Sequence, residues 1–513
     1  MDVEIAKLNK LGAWIGVKKS TVQQNILQGT WVFRVKRLPA SNEIYAYRAR
    51  FVARGDQQID GIDVFETYAP TVRWSTVRTV LTASVQRGLH TRMIDISHAF
   101  LQAYLPPGEN IFVEVPPGFE NKHSKDTALK LKRSLYGLKQ SPRYYFQTFR
   151  QALIDLGFEQ SEKDECLFFR RKDAMILVSH VDDCLLFNHS NENIDKFVDE
   201  FSTKLPSKNE QVSSENNIDV YAYLGIEVLV DKNGDKRKIT LRQVNLTKRI
   251  LETVGMMDCN AKDSPAVEKP LGSDINGTHV NELWDFPSVV GMLMFLVNTR
   301  PDIQQAVHAV ARFTHNPKQS HADAVKRICK YLKGTFERGL ELTPAHDLTH
   351  IEFHCYVDST FADLFGVEDP LDPVSSKSRT GYVFYLNGCP VHWASRLQQL
   401  TCISSNESEI VALSEAMREL IIELAGVLNL GVKPSIMKSK VFEDNTGCIA
   451  MATSPKMSMR TRHLNQRYHF FKQYVGNTIL VQHVKSEEQV ADMFTKPLGP
   501  AQFIHLRKYL MGW

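Results

Sequence analysis

The sequence predicts an α/β (α+β) protein with more than one domain. Three observations carry this expectation. The chain has 513 residues, more than a single compact core usually organises. Short runs of strand character recur in both halves, as in Trp31-Val-Phe-Arg-Val-Lys-Arg37 and Thr380-Gly-Tyr-Val-Phe-Tyr-Leu386. Segments with apolar residues at helical spacing lie between them, such as Val77 to Leu89 and Asn406 to Leu424.

The bulk numbers bound what the chain can be. Hydrophobic residues make up 43% and charged residues 23%, which suits a globular protein with sizeable cores. Lys and Arg number 62 against 58 Asp and Glu, a net charge of +4. That balance does not demand nucleic acid, but it leaves room for acids that do chemistry beside bases that line a groove. The eight cysteines include no C-x-x-C pair, which argues against a zinc site or disulfide framework and fits a reducing compartment. No apolar stretch approaches the roughly 18 residues of a membrane helix. The N-terminus lacks a signal-peptide pattern and starts with an amphipathic fragment, Val3 to Leu11, as a piece of a longer chain would.

In chain order, Trp31 to Arg37 alternates apolar and basic residues as a half-exposed strand does, Pro39 to Asn42 signals a turn, and Ile44 to Val52 returns. Arg48, Arg50 and Arg54 have spacing that puts them on one strand face, where they could grip phosphates; a solvated edge strand is the blander account. Val77 to Leu89 reads as a helix stopped near Gly88. Met93 to Ile96 reads as a buried strand carrying Asp95, a carboxylate that needs a cation or donor beside it.

Two apolar runs, Met175 to Val178 and Cys184 to Phe187, flank the adjacent acids Asp182 and Asp183, as the strands of a hairpin flank its tip. Adjacent Asp residues are common in solvated turns. Together with Asp95, however, three acids in apolar contexts could hold two divalent metals for phosphoryl chemistry.

At this point a family likeness is visible. From about Trp31 onward the chain resembles the reverse transcriptase–RNase H part of copia-type LTR retrotransposon polyproteins. It is carried by WVFRVKR, YRARFVARGDQQIDGIDVFETYAPTVR, MIDISHAFLQAYL, IFVEVPPGFE, LKRSLYGLKQSPRYYF and HVDDCLLF, then by YLGIEV, PSVVGMLMF, SSNESEIVALSEA, EDNTGCIAMA, RTRHLNQRYHF and VADMFTKPL, in that order. The resemblance implies a right-hand polymerase (fingers, palm, helical thumb and connection) followed by an RNase H-like α/β domain. It implies fingers and palm over 1–240, thumb and connection over 241–348, and the RNase H-like domain over 349–513.

It also implies roles. Asp95, Asp182 and Asp183 match the polymerase metal carboxylates. Phe100 falls at an aromatic sugar gate that excludes a 2′-hydroxyl. Arg50 and Lys36 fall in the segment that contacts the incoming triphosphate. Tyr136, Gly137 and Gln140 fall along the nucleotide pocket. Leu224 and Gly225 fall in the hairpin that positions the primer end, where Gly225 would permit close backbone approach and Leu224 would anchor a strand. His180 stands where related polymerases often carry Tyr; modified primer contact and simple tolerance of a planar side chain both stay open.

Ser207 to Asn217 reads as a loop, Asp231 to Lys236 as a tight turn, and Val244 to Gly255 as a helix. Asn260 to His279, rich in Pro and Gly, reads as a hinge or linker. Three helices follow. Pro287 to Asn298 is apolar on most sides and so buried; Asp302 caps the second after Pro301; His321 to Leu332 is the third. Lys326, Arg327, Lys330 and Lys333 on the third could track a duplex backbone or be a solvated basic face.

Further on, the resemblance matches Asp358 at the end of a first strand, Glu409 in a helix, Asp444 after a central strand and Asp492 in the last helix to the RNase H metal acids. Glu407 is then a first-turn acid favoured by the helix dipole. Thr360 stands where the family often has a further acid. RNase H enzymes often add a mobile His near the last acid; His463 and His483 are both candidates, outside the core set.

The implied activity is RNA-directed DNA polymerisation with ribonuclease H cleavage, using Mg²⁺ or Mn²⁺, two ions per active site. Implied partners are RNA template, DNA primer, RNA–DNA hybrid and deoxynucleoside triphosphates, with capsid and integrase proteins encoded elsewhere and an intracellular particle or nuclear setting. The alternative is a truncated, non-catalytic remnant that at most binds nucleic acid.

Overall fold

The computed structural model describes residues 1–37, 44–210, 212–233, 237–345, 351–429, 437–454 and 470–513. The class is α/β, as expected, in two compact units. The first comprises Met1–Val72 and His90–Glu210; the second comprises Arg73–Leu89 and Gln211–Trp513.

The first unit is built on a six-stranded sheet ordered Ser207–Asn209, His90–Ile96, Asp183–Asn188, Met175–His180, Leu167–Arg170 and Glu159–Gln160, all pairs antiparallel. Helices Ser141–Asp155 and Asn191–Lys204 bury Tyr145, Phe149, Phe197 and Phe201 against its Ile94, Leu177 and Leu186. A sheet apolar on one face needs such a cover. A separate ribbon pairs Gly29–Arg37 with Ile44–Ala53. Its alternation sets Val32 opposite Arg50 and Arg34 opposite Arg48, so the two arginines of the second strand share a face. Arg54, grouped with them by spacing, lies past the strand end and pairs with Asp56 at 2.6 Å. The turn expected at 39–42 lies outside the described residues.

The second unit carries two sheets. One is an antiparallel sheet of Ser213–Glu215, Ile218–Tyr223, Ile226–Asp231, Lys238–Arg242 and Leu340–Leu342. Helices Val244–Val254, Phe286–Leu296, Gln304–Ala311 and Gln319–Gly334 are inserted before its last strand. The other is ordered Cys389–Leu397, Arg379–Leu386, Ile351–Thr360, Met437–Glu443 and Ile479–His483; its first three strands are antiparallel and the last two join in parallel. Helix Ser405–Asn429 lays Ile410, Leu413, Met417 and Leu420 over Val357, Phe384 and Val441 of this sheet. Helix Trp74–Gln86 also belongs to this unit. Its Arg78 lies 3.7 Å from the Trp393 ring and donates to the Val391 carbonyl at 2.7 Å.

Several local expectations change. Ser207 to Asn217 is not simply a loop, because Ser207–Asn209 and Ser213–Glu215 each find a neighbouring strand edge. Asn260 to His279 has no helix or strand, yet Ser264 within it is buried. Helix Phe286–Leu296 leaves Met294 and Phe295 exposed, so one face is open. Asp302 does not cap a helix. It is fully buried, pairs with Arg300 at 2.8 Å and accepts from the Tyr331 hydroxyl at 2.5 Å. The basic face of the third helix is partly engaged internally: Lys326 meets Glu282 at 2.6 Å and Arg327 donates to the Ser264 carbonyl.

Candidate active sites: two carboxylate centres

In the first unit the apolar runs do form a hairpin. His180 pairs with Asp183 across it, leaving Val181 and Asp182 as the two turn residues. Val181 has φ +55°, a left-handed conformation that a β-branched residue adopts only under strain. The tip is held from outside. Tyr145 donates its hydroxyl to the Val181 carbonyl at 2.9 Å, and Ile96 N–H donates to the Asp182 carbonyl at 2.9 Å. The neighbouring strand sets Asp95 directly opposite Asp183. Facing residues of an antiparallel pair project to the same side, so these two acids are neighbours by register.

Their electrostatics follow. Burial, then the charges of Asp182 and Asp95, push the Asp183 carboxyl up to about 7. Burial also raises Asp182. Asp95 has Lys208 3.5 Å away, on the edge strand that the sequence reading treated as loop. Burial lowers His180, whose half-buried ring is near enough to feel Asp182.

Around this tip lies an aromatic wall. The Phe100 ring is 5.2 Å from Tyr136 and 6.0 Å from Tyr145. Arg50 stacks 5.0 Å over Tyr136, and its buried Nε has no hydrogen-bond partner. Gly137 has φ +93°, and a Cβ there would come within 2.1 Å of the Ala53 carbonyl oxygen. Its role is therefore close packing against the arginine-bearing strand. Gln140 is buried, donating to the Asp63 carbonyl and accepting from Gln58 at 2.9 Å each. It is internally satisfied, and the structure does not bring it to an open pocket. Lys36 lies on its strand, with its side chain outside the described residues. Leu224 and Gly225 are in the second unit. They form the turn between paired Tyr223 and Ile226 with φ +52° and +76°, so the glycine answers a backbone angle rather than a close approach.

The second unit holds the tighter centre. Asp358 lies near the end of the middle strand, Glu409 in the covering helix and Asp444 just past the strand Met437–Glu443. Each offers a ligand atom within 4.8 Å of the others. The acids of the first unit do not meet that spacing. Glu409 is pushed up to about 11 by burial and then by the charges of Glu443, Asp358 and Asp444. Its Oε2 is buried without a hydrogen-bond partner. Asp358 is raised by burial, against the pull of Lys496 and Thr495. Asp492, the first residue of a one-turn helix, is pushed up to about 8 by burial and by Asp358.

Sequence reasoning missed Glu443. It is fully buried, is raised far above the carboxylate range by burial, and accepts from the Asn445 N–H at 3.0 Å. Strand alternation was the available signal: Ser439, Val441 and Glu443 all face inward. Ser486 also went unnoticed; it donates to Asp444 at 2.7 Å. His483 is exposed at the end of its strand, in register with Glu443. His463 lies outside the described residues. An open cleft lined by Ser486, Asp492, Lys496, Gln502 and His505 runs along the last acid.

Residues 13–268 match the family model described as "Reverse transcriptase (RNA-dependent DNA polymerase)". The chain is 31% identical over 476 residues to the Retrovirus-related Pol polyprotein from transposon RE1 of Arabidopsis thaliana, covering 92% of this chain and 31% of that one. It is 30% identical over 523 residues to that from transposon TNT 1-94 of Nicotiana tabacum, covering 100% of this chain and 37% of that one.

The chain belongs to the copia-type reverse-transcriptase family.

This reverse-transcriptase region spans about a third of the length of those curated relatives. Among solved structures it is similar to a foamy viral protease-reverse transcriptase in complex with double-stranded DNA, at 12% identity and TM-score 0.49, over 94% of this chain and 69% of that one. Among the described residues no helix is long and apolar enough to cross a membrane.

Proposed function

We propose that the first unit polymerises DNA on an RNA template and that the second cleaves the RNA of the resulting hybrid. The observation that carries the polymerase reading is the register of Asp183 against Asp95 at a strained tip, within a stretch that matches the reverse-transcriptase model. The partners are then RNA template, DNA primer, RNA–DNA hybrid and deoxynucleoside triphosphates.

Both centres fit divalent cations. Clustered acids with raised carboxyls and a buried, unpartnered Glu409 oxygen are what a missing positive charge leaves behind. Asp95, Asp182 and Asp183 would hold Mg²⁺ or Mn²⁺ in the first unit, and Asp358, Glu409 and Asp444 in the second. Bound there, such an ion supplies the charge that stabilises phosphoryl transfer.

The chain's own groups supply positioning. Arg50, a guanidinium whose buried Nε has no hydrogen-bond partner, suits an anionic triphosphate. Phe100, packed edge-on against two tyrosines, is a rigid wall against a 2′-hydroxyl. In the second unit, Ser486 orients Asp444 and Thr495 donates to Asp358 at 2.5 Å, leaving their other oxygens for ligands.

The test is a pair of variants of the whole chain. Asp183→Asn is expected to lower primer extension by about 10³-fold or more while hybrid cleavage stays within about threefold. Asp444→Asn is expected to do the reverse. If the wild type extends no primer on RNA with Mg²⁺ or Mn²⁺, the polymerase reading fails. If both activities are blank while RNA–DNA hybrid is still bound, nucleic-acid binding alone remains.

A further inference from the structure

The amphipathic fragment Val3 to Leu11 contributed nothing to either site read from sequence. In the structure it is the helix Asp2–Lys10, and its C-terminal end is tied down. The Ala13 carbonyl accepts from the Lys132 and Arg133 N–H groups, and the strand Trp14–Lys18 pairs with Thr127–Leu131. Ile5, Leu8 and Leu11 pack into one apolar cluster with Phe51, Ala53 and Tyr136. The helix is thereby fixed against the strand that carries Arg48 and Arg50, and beside the ring over which Arg50 stacks.

Glu4 lies on the inward side of this helix and is 7% exposed. A buried acid is costly unless cations stand near it. Burial raises its carboxyl, and Lys7, Arg48 and Arg50 pull it back down. Lys7 follows Glu4 by three residues, so the two side chains are neighbours on the helix surface. Arg48 and Arg50 share one face of their strand. His98, which precedes the short helix bearing Phe100, feels the same three charges. Burial lowers its imidazole, Lys7, Arg48 and Arg50 lower it further, and Asp95 opposes them.

Lys7, Arg48 and Arg50 therefore converge on one place, bounded by Glu4 and His98. Among the described residues none of the three closes an ion pair. Three like charges held close together repel, and one buried acid offsets only part of that. An anion of several charges completes the balance. Tyr136, raised by burial, feels Arg50 and Arg48 and then Asp182, so the carboxylate centre adjoins the three cations. An anion bound by the cations thus has its far end beside the acids, as a deoxynucleoside triphosphate needs. Lys7 is exposed, and a lysine meets phosphate as a point charge.

We propose that Lys7 is a further triphosphate-binding residue, so that the helix Asp2–Lys10 forms one wall of the nucleotide pocket opposite Arg48 and Arg50. The inference rests on the polymerase reading and adds a ligand to its nucleotide site.

The test is primer extension on an RNA template by the whole chain with Mg²⁺, at varied deoxynucleotide concentration. Lys7→Ala is expected to raise KM for the nucleotide about fivefold with kcat within about twofold, the pattern of lost binding shared by ground and transition states. Lys7→Glu raises KM further, and Lys7→Arg keeps it within about twofold of wild type. Inorganic triphosphate, a competitive inhibitor without base or sugar, should lose affinity by the same factor as the nucleotide in Lys7→Ala. Lys10→Glu, an exposed position on the same helix, should leave both constants unchanged. An unchanged KM in Lys7→Ala and Lys7→Glu, a fall in kcat alone, or an equal rise in Lys10→Glu overturns the inference and leaves the polymerase reading standing. A wild-type chain that extends no primer removes that reading and the inference with it.

Discussion

The two carboxylate centres are assembled by different means. In the first unit the backbone does the placing. A two-residue turn with Val181 at φ +55° presents Asp182 and Asp183, and strand register delivers Asp95. The acids stay partly open and do not close to ligand spacing. In the second unit side chains do most of the placing. Thr495, Lys496, Gln502, Ser486 and the Asn445 N–H each hold an acid, and burial drives the set together. The contrast teaches what each centre is sensitive to. A centre set by backbone angles fails when a turn is disturbed. A centre set by buried charge responds to pH and to cations.

The largest expected effect tests the backbone side. Gly137→Ala puts a Cβ about where the Ala53 carbonyl oxygen already sits, 2.1 Å away, at φ +93°. Val52 Cγ1 would lie 2.5 Å away as well, and neither atom is the free end of a flexible side chain, so the strand carrying Arg50 must shift. A loss of about 3 kcal/mol or more in the first unit's stability is expected, from strain plus overpacking. Chemical denaturation followed by a probe in each unit checks it. A second unit destabilised equally would break the contrast.

The next effect tests the charge side. Asp492 and Glu409 have folded-state carboxyls raised to about 8 and about 11, and Asp183 to about 7. A raised acid favours the folded state below its unfolded value, near 4, and that contribution is lost as pH rises through the folded value. Without cations, stability is therefore expected to fall between about pH 4 and pH 8, and further above it. Mg²⁺ offsets the repulsion between ionised acids, so it stabilises more at pH 8 than at pH 5. At a hundredfold excess over its dissociation constant the gain is about 2.7 kcal/mol. Calorimetry with and without Mg²⁺ at the two pH values checks this. An equal shift at both pH values would mean that the acids are already ionised without the ion.

How much of this was legible in the sequence depends on the same distinction. The hairpin tip could be read because apolar runs around two acids leave few alternatives, and the strand bearing Asp95 was equally plain. The α/β class and the helices followed from periodicity. What stayed hidden was partnership between distant residues. Glu443 and Asp444 are adjacent acids, and only the inward alternation through Val441 separates their roles. Asp302 looked like a cap because acids after a turn usually are; its partner Tyr331 lies 29 residues on. Lys326 and Arg327 looked like a free basic face because Glu282 and Ser264, which engage them, come from the irregular segment between helices. Lys496 was within the quoted motif, and an i,i+4 reading from Asp492 would have found it.

The smallest effect returns to the strained tip. Tyr145 is 2% exposed, and its hydroxyl donates to the Val181 carbonyl. Removing that hydroxyl leaves a carbonyl with one donor fewer at a residue already held in an unfavourable conformation. Tyr145→Phe keeps the ring contacts with Phe100 and Phe149 and so isolates the hydrogen bond. A cost of about 1–2 kcal/mol to the first unit is expected. Because the tip carries two of the three acids, primer extension should also fall by about tenfold, while hybrid cleavage is unchanged. Rate assays on the same preparation read both. A variant that loses stability but extends primers normally would show that the tip keeps its geometry without the tyrosine, and that strand register alone sets the first centre.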